Sequence, residues 1–157
     1  MKLFIKVKEI KSLSGEMHFE RWAVIETKMF SLYCHRIHKA DKDHLHSHPW
    51  NFVSMILKGS YLEEVEHNGK ITFKVKSPLK IAYTHKTWFH KIHSIIKVPV
   101  YTLVFVWGGN FEGDKWHYLV GEKKVPFLTY RQIKTEAKKI GKSIEELIKA
   151  TRLSIDD

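Results

Sequence analysis

His46 and His48 stand one residue apart in His46-Ser47-His48-Pro49-Trp50-Asn51-Phe52, just before the apolar run Val53-Ser54-Met55-Ile56-Leu57. In a strand, residues i and i+2 point to the same face. Two neutral imidazoles directed inward from one strand form half of a first-row transition-metal site, or else an acid–base pair. A third histidine, His90, lies in another apolar run, Trp88-Phe89-His90-Lys91-Ile92. His90 shares its face with Ile92 but not with His93, so parity ranks His90 above His93. His44 has the parity of His46 and His48, yet three ligands in a row on one strand would span about 13 Å, too long for one ion. It is read as a rim residue. Nine of the eleven histidines fall between residues 35 and 93. The candidate catalytic and metal-ligating set is therefore His46, His48 and His90, holding a divalent transition metal. Imidazole accepts Fe, Zn, Ni and Mn alike.

Around this set, candidate substrate-binding residues are those that offer a planar wall or a charge. Trp50, Tyr83, Trp88 and Trp107 are expected to line a pocket for a planar or sugar-like ligand. Arg36, on a strand that leans inward, is positioned to clamp a carboxylate or phosphate. Asn51 either orients a ligand or caps a turn. Glu63 and Glu64, on the strand after Gly59, are candidate bases, although a solvated hairpin edge explains them equally well.

Positioning such groups calls for a β scaffold. Short aromatic and β-branched segments separated by turn signals run through residues 1–128, as in a sandwich or barrel. Expected strands are 2–8, 21–27, 32–38, 50–57, 60–66, 71–75, 79–84, 90–96 and 101–107. Breaks fall at Gly15, Gly59, His67-Asn68-Gly69, Ser77-Pro78, Pro99 and Gly108-Gly109-Asn110. Asn68-Gly69 predicts a type I′ hairpin joining 60–66 to 71–75, because both central residues need positive φ. After Thr129 the pattern becomes helical. Thr129-Tyr130-Arg131-Gln132 and Ser143-Ile144-Glu145-Glu146 have capping-box form, with Gly141 as a left-handed C-cap between them. Two helices, about 130–140 and 144–153, make residues 129–157 a helical hairpin appendage. Ile133, Ala137 and Ile140 would line one helix, and Ile144, Leu147, Ile148 and Leu153 the other.

A chain of 157 residues with 43% hydrophobic content suffices for one domain with a real core. The net charge of +10 favours anionic partners: nucleic acid, phosphorylated small molecules or membrane surfaces. Cys34, the only cysteine, excludes an intrachain disulfide framework and a thiolate zinc cluster, and fits a cytoplasmic address. No run reaches the roughly 18 apolar residues of a membrane span. Residues 122–152 hold nine Lys or Arg against four Asp or Glu, and Ala137, Gly141, Ser143 and Leu147 have helix-turn-helix spacing. Lys142 and Glu136 occupy positions that such a motif fills with apolar residues. Nucleic acid is therefore possible but not favoured for the tail, and docking on the barrel or assembly, such as a homodimer, is preferred.

His46-x-His48, Gly59 thirteen positions after His46, Pro78, and His90 on a later strand together resemble the two-motif signature of the cupins. That resemblance implies a double-stranded β-helix (jelly-roll) barrel, mainly β, with a metal held between the two motifs. Within the superfamily, His-x-His-Pro-Trp followed by Phe-x-Ser-x-Ile-Leu-x-Gly-x-Tyr is similar to small stand-alone proteins of bacteria and their viruses. The likeness covers roughly residues 30–128, including Lys115-Trp116-His117-Tyr118. One departure matters: the Glu that cupins usually carry with three or four residues between it and the second His is replaced here by Phe52 or Val53. The remaining three-His set resembles that of the thiol dioxygenases. The leading expectation is a metal-dependent cupin enzyme acting on a small polar or anionic substrate, with oxygenase-type chemistry favoured. The alternatives are a metal-free sugar-nucleotide isomerase or epimerase using its histidines as acid and base, and a non-catalytic ligand- or nucleic-acid-binding cupin.

Overall fold

The computed structural model describes residues 2–11, 17–108 and 116–150. Ten strands and two helices follow in chain order: β1 (Lys2–Lys11), β2 (Met17–Glu26), β3 (Phe30–Ile37), β4 (Leu45–His46), β5 (Asn51–His67), β6 (Lys70–Lys76), β7 (Ile81–Thr84), β8 (Phe89–Trp107), β9 (His117–Val120), β10 (Lys123–Pro126), α1 (Phe127–Ile140) and α2 (Ile144–Ala150). All pairings are antiparallel. The main path runs β1-β2-β3-β8-β4-β9-β10, and β5 joins β6, β7 and β8. The mainly-β architecture agrees with the sequence reading. The breaks at Gly15 and Gly109-Asn110, and Leu153, lie outside the described residues.

The expected strands 50–57 and 60–66 are two halves of one long strand, β5, and 90–96 with 101–107 are two halves of β8. These two strands pair from Asn51↔Trp107 to Glu66↔Phe89, with four register shifts between Ile56 and Glu63. Such shifts bend and twist a strand without ending it. Gly59 sits at the bend with φ of 80°, and a Cβ there would lie 2.5 Å from the Pro99 carbonyl oxygen and 2.6 Å from that of Lys97. Only glycine meets both demands. At the Asn68-Gly69 turn both residues have positive φ, 53° and 74°, and β5 pairs with β6 as that turn requires.

Inside, two apolar clusters fill the barrel. Ala23, Tyr33, Phe52, Val104 and Val106 form one, with Trp50 packed against it. Ile37, Ile56, Tyr61 and Val100 form the other. A third joins barrel to helices: Tyr118, Val120 and Val125 pack with Tyr130 and Ile148, and the Tyr118 and Tyr130 rings stack at 3.8 Å.

The helical segment differs from expectation in its start. α1 begins at Phe127 after Pro126, so Thr129 is within the first turn and makes no cap. A proline just before the first helical residue already sets the backbone for entry. The second capping box forms: Ser143 Oγ accepts from the Glu146 N–H at 3.1 Å, and Glu146 Oε2 accepts from the Ser143 N–H at 2.8 Å. Gly141 is the left-handed C-cap. Ala137 and Ile148 are buried, and Ile133 and Ile144 pack at the cluster's edge. Ile140 is instead 47% exposed at the end of α1. His44 pins the helices to the barrel, with Nδ1 bonded to the Tyr130 hydroxyl at 2.8 Å and Nε2 to Glu145 at 2.7 Å.

Replacing Gly59 by Ala should destabilise the fold by at least about 1–2 kcal/mol, since it adds the left-handed penalty of a Cβ to a backbone clash. The urea midpoint measures this. An unchanged midpoint would mean that the bend does not need glycine.

Candidate metal and substrate site

Antiparallel register sets His46 on β4 directly opposite His90 on β8. His48 follows two residues later, after Ser47, whose N–H bonds to the His117 carbonyl and whose Oγ accepts the His117 N–H. This double tie fixes the short segment that carries both histidines. One ring nitrogen each from His46, His48 and His90 lies within 4.8 Å of the others. The closest pair is His48 Nε2 and His90 Nε2, 2.9 Å apart.

His90 is held from behind. Its Nδ1 lies 3.0 Å from Glu63 Oε1, and the other oxygen of Glu63 lies 2.9 Å from Lys76 Nζ. A carboxylate can only accept, so His90 carries its proton on Nδ1 and turns the Nε2 lone pair toward His48. Glu63 and Lys76 are both buried. Burial raises the Glu63 carboxyl, but hydrogen bonds and charge from His90 and Lys76 outweigh it and bring the pKa down to about 2. The two inward histidines shift the other way for a base. Burial, then repulsion from His90, lowers His46 to about 4, and the same causes lower His48 well below the ordinary value. Their Nδ1 atoms are buried without a hydrogen-bond partner among the described residues. His46 and His48 are thus neutral imidazoles, and the third ring, His90, is backed by an ionised carboxylate.

Aromatic rings enclose it. Trp50 stacks on His48 with centroids 5.7 Å apart, and Trp116 meets His48 edge-on at 5.0 Å and lies parallel to His46 at 6.5 Å. Phe52 packs its ring 5.4 Å from His48 and 5.5 Å from His90, so the position at which the cupin motif carries Glu presents an apolar ring here. Trp116 was not among the sequence candidates. It stands beyond the third apolar run, and no spacing signal tied it to His46.

The remaining expected substrate contacts lie elsewhere. Tyr83 stacks on Trp107 at 6.1 Å and meets Trp88 at 5.9 Å. Tyr83 and Trp107 alternate with the buried Thr84 and Val106, which puts them on the outer side of the sheet, together with exposed Phe30, Phe105 and Ile81. Asn51 accepts the Lys86 N–H at 3.0 Å, its turn-capping role. Arg36 alternates with buried His35 and Ile37, and its guanidinium lies 3.8 Å from Glu20 and over the Tyr101 ring. Arg21, paired with His35, is the inward arginine, and Lys8 pairs with Arg21 on β1.

No family model matches the chain, and no curated protein matches it. Among solved structures, a chain of the DMSP lyases RdDddP and RnDddQII aligns with TM-score 0.51 and 14% identity, covering 61% of this chain and 50% of that one. Fe(II)-HppE with an alternative substrate aligns with TM-score 0.50 and 9% identity over 69% of this chain and 60% of that one. Bacillus subtilis oxalate decarboxylase, described with Mn(II) centres, aligns with TM-score 0.57 and 11% identity over 90% of this chain and 36% of that one. The chain therefore spans less than two thirds of each of these proteins.

Acid should act on the metal-free protein in two stages. The unfolded chain binds more protons than the folded one wherever His46 is depressed, so stability should fall as pH drops from 6.5 toward 4. Glu63 stabilises above its ordinary 4.5 and loses that contribution from there toward 2. Urea midpoints across this range should decline, with a shallower upper stage in His46→Asn. A flat profile between 6.5 and 4 would contradict the buried neutral state. The bent long strands, the paired short strand that carries His46 and the structural likenesses agree on one fold, a cupin-like β-barrel.

Proposed function

We propose that the protein is a metal-dependent enzyme acting on a small polar or anionic molecule, with His46, His48 and His90 as ligands of a divalent transition metal. The observation that carries the reading is the convergence of three ring nitrogens within 4.8 Å, one of the rings oriented by a buried carboxylate. The donor set fits such an ion. Neutral imidazole is its common ligand form, and the carboxylate–histidine pair behind His90 is the usual outer support of a metal-bound ring. When bound, the ion would supply a Lewis acid and, if iron or manganese, one-electron chemistry. Two of the structural neighbours are described with Fe(II) and Mn(II), which lends support to that pair.

This chain's own residues do the rest. Glu63 fixes the proton of His90 and, with Lys76, keeps the region behind the cluster electrically balanced. Trp50, Trp116 and Phe52 exclude water from the histidines and offer flat walls to a substrate. Oxygenase-type chemistry is the favoured class, because the missing motif carboxylate leaves a neutral three-histidine set. The tail is read as a brace on the barrel, since Tyr130 and Ile148 are buried against it and Lys134 pairs with Asp43. Among the described residues, no helix is long and apolar enough to cross a membrane.

Elemental analysis of untagged protein should find about one divalent transition metal per chain, lost in His48→Ala while the β-rich circular dichroism spectrum persists. Glu63→Gln should weaken metal affinity roughly 10–100-fold. Wild-type protein that takes up no iron, zinc, nickel or manganese would overturn the reading and favour metal-free acid–base chemistry.

The outer sheet face supports a homodimer. Phe30, Ile81, Tyr83 and Phe105 are exposed there beside Trp107, an uncharged apolar patch on a chain whose net charge of +10 otherwise opposes self-association. A second copy of the same face matches it without burying charge. Sedimentation should give a dimer for the wild type and a monomer for Phe105→Glu. Equal masses for the two would rule this face out.

A further inference from the structure

Beside the histidine cluster, the inner wall carries two cations that the metal reading does not use. Register sets Lys8 on β1, Arg21 on β2 and His35 on β3 in one row. Phe19, Tyr33 and Ile37 share that inner face, and Tyr33 packs with Phe52, the ring that touches His48. Arg21 Nε donates to His35 Nε2 at 3.0 Å, and its guanidinium lies over the Tyr33 ring at 4.8 Å and the Phe19 ring at 5.7 Å. Because His35 accepts from Arg21 it carries its own proton on Nδ1, and burial, reinforced by Arg21 and Lys8, keeps it neutral. His35 thus holds the arginine through Nε, and among the described residues the two terminal Nη groups make no hydrogen bond. Lys8 Nζ lies 5.8 Å from the centroid of Trp116, the ring that meets His48 edge-on.

Among the described residues neither Lys8 nor Arg21 forms an ion pair. By contrast, Arg36 on the outer face has Glu20 beside it, and Lys76 has Glu63. Two cations side by side repel, and the partial burial of Arg21 adds to the cost. Desolvation, then mutual repulsion, lowers the Lys8 ammonium. Glu26, whose carboxylate lies by the Tyr33 hydroxyl, offsets part of the Arg21 charge, and the remaining positive charge is what an anionic ligand would neutralise. A guanidinium presents a planar fork that matches a carboxylate or a phosphate, and an adjacent ammonium adds a point charge.

We infer that Arg21 and Lys8 form an anion-recognition subsite of the histidine pocket, with His35 as the positioning residue, so that the substrate carries a carboxylate or phosphate group. The flat walls of Trp50 and Trp116 then suit a planar or apolar body between that group and the histidines. The subsite rests on the histidine cleft being the substrate pocket, but its anion binding is independent of metal.

The test uses the full-length metal-free protein, titrated separately with benzoate and with inorganic phosphate and read by tryptophan fluorescence and calorimetry. Saturable binding of one probe is expected, and which one binds separates carboxylate from phosphate. Arg21→Gln should weaken it about tenfold or more, the loss of charge-assisted hydrogen bonds. Arg21→Lys should recover part of the affinity, while Arg36→Gln on the outer face should leave it unchanged. His48→Ala should lose metal and keep anion binding. A wild type that binds metal but neither anion, or equal affinities for wild type and a folded Arg21→Gln, would overturn the subsite and leave the metal reading standing. Anion binding without any metal uptake would do the reverse.

Discussion

The hydrogen bond from His90 to Glu63 is the constraint on which the site depends. It decides the tautomer of His90, and so decides that a lone pair rather than a proton faces His48. A buried carboxylate alone would be costly, and Lys76 on the neighbouring strand removes that cost from the other side. The result is a charge-balanced chain, Lys76 to Glu63 to His90, ending at neutral rings. Removing Glu63 would leave the buried Lys76 ammonium without its partner.

That chain exists only because β5 and β8 are long and bent. His90 and Glu63 lie on the far halves of the two strands, and Phe52 and Val106 on the near halves. A straight ladder would carry those halves apart. The bend at Gly59, where backbone carbonyls of β8 approach too closely for any side chain, folds both halves around one interior. Local backbone permissiveness at one residue is thereby linked to the geometry of a cluster formed by three others.

The two faces of the sheet then divide the labour. Strand alternation sends Arg21, His35 and Tyr33 inward, and Arg36 and Cys34 away from them. The inward face gathers cations, imidazoles and indoles. The outward face gathers Phe30, Tyr83, Phe105 and Trp107, rings whose register partners are apolar apart from Asn51 opposite Trp107. One residue of parity therefore separates a group suited to bind an anion from one suited to lie against another surface.

Local pattern was enough for the features that depend on near neighbours. The His46-x-His48 pair shares a face because alternation is a property of any strand, and Asn68-Gly69 and Ser143–Glu146 adopt their turn and cap because the necessary groups lie within three residues. His90 was legible by parity within its own run. The grouping of His90 with Glu63 and Lys76, the arrival of Trp116 beside His48, and the removal of Tyr83, Trp88 and Trp107 from the pocket were not. Glu63 looked equally like a solvated edge residue, because its burial comes from β6 and β8 rather than from its own strand. Arg36 was read as inward-leaning because a single strand reveals which residues alternate but not which face is inside. That choice belongs to the packing of β2, β3 and β8 around a common core, and only the tertiary structure makes it.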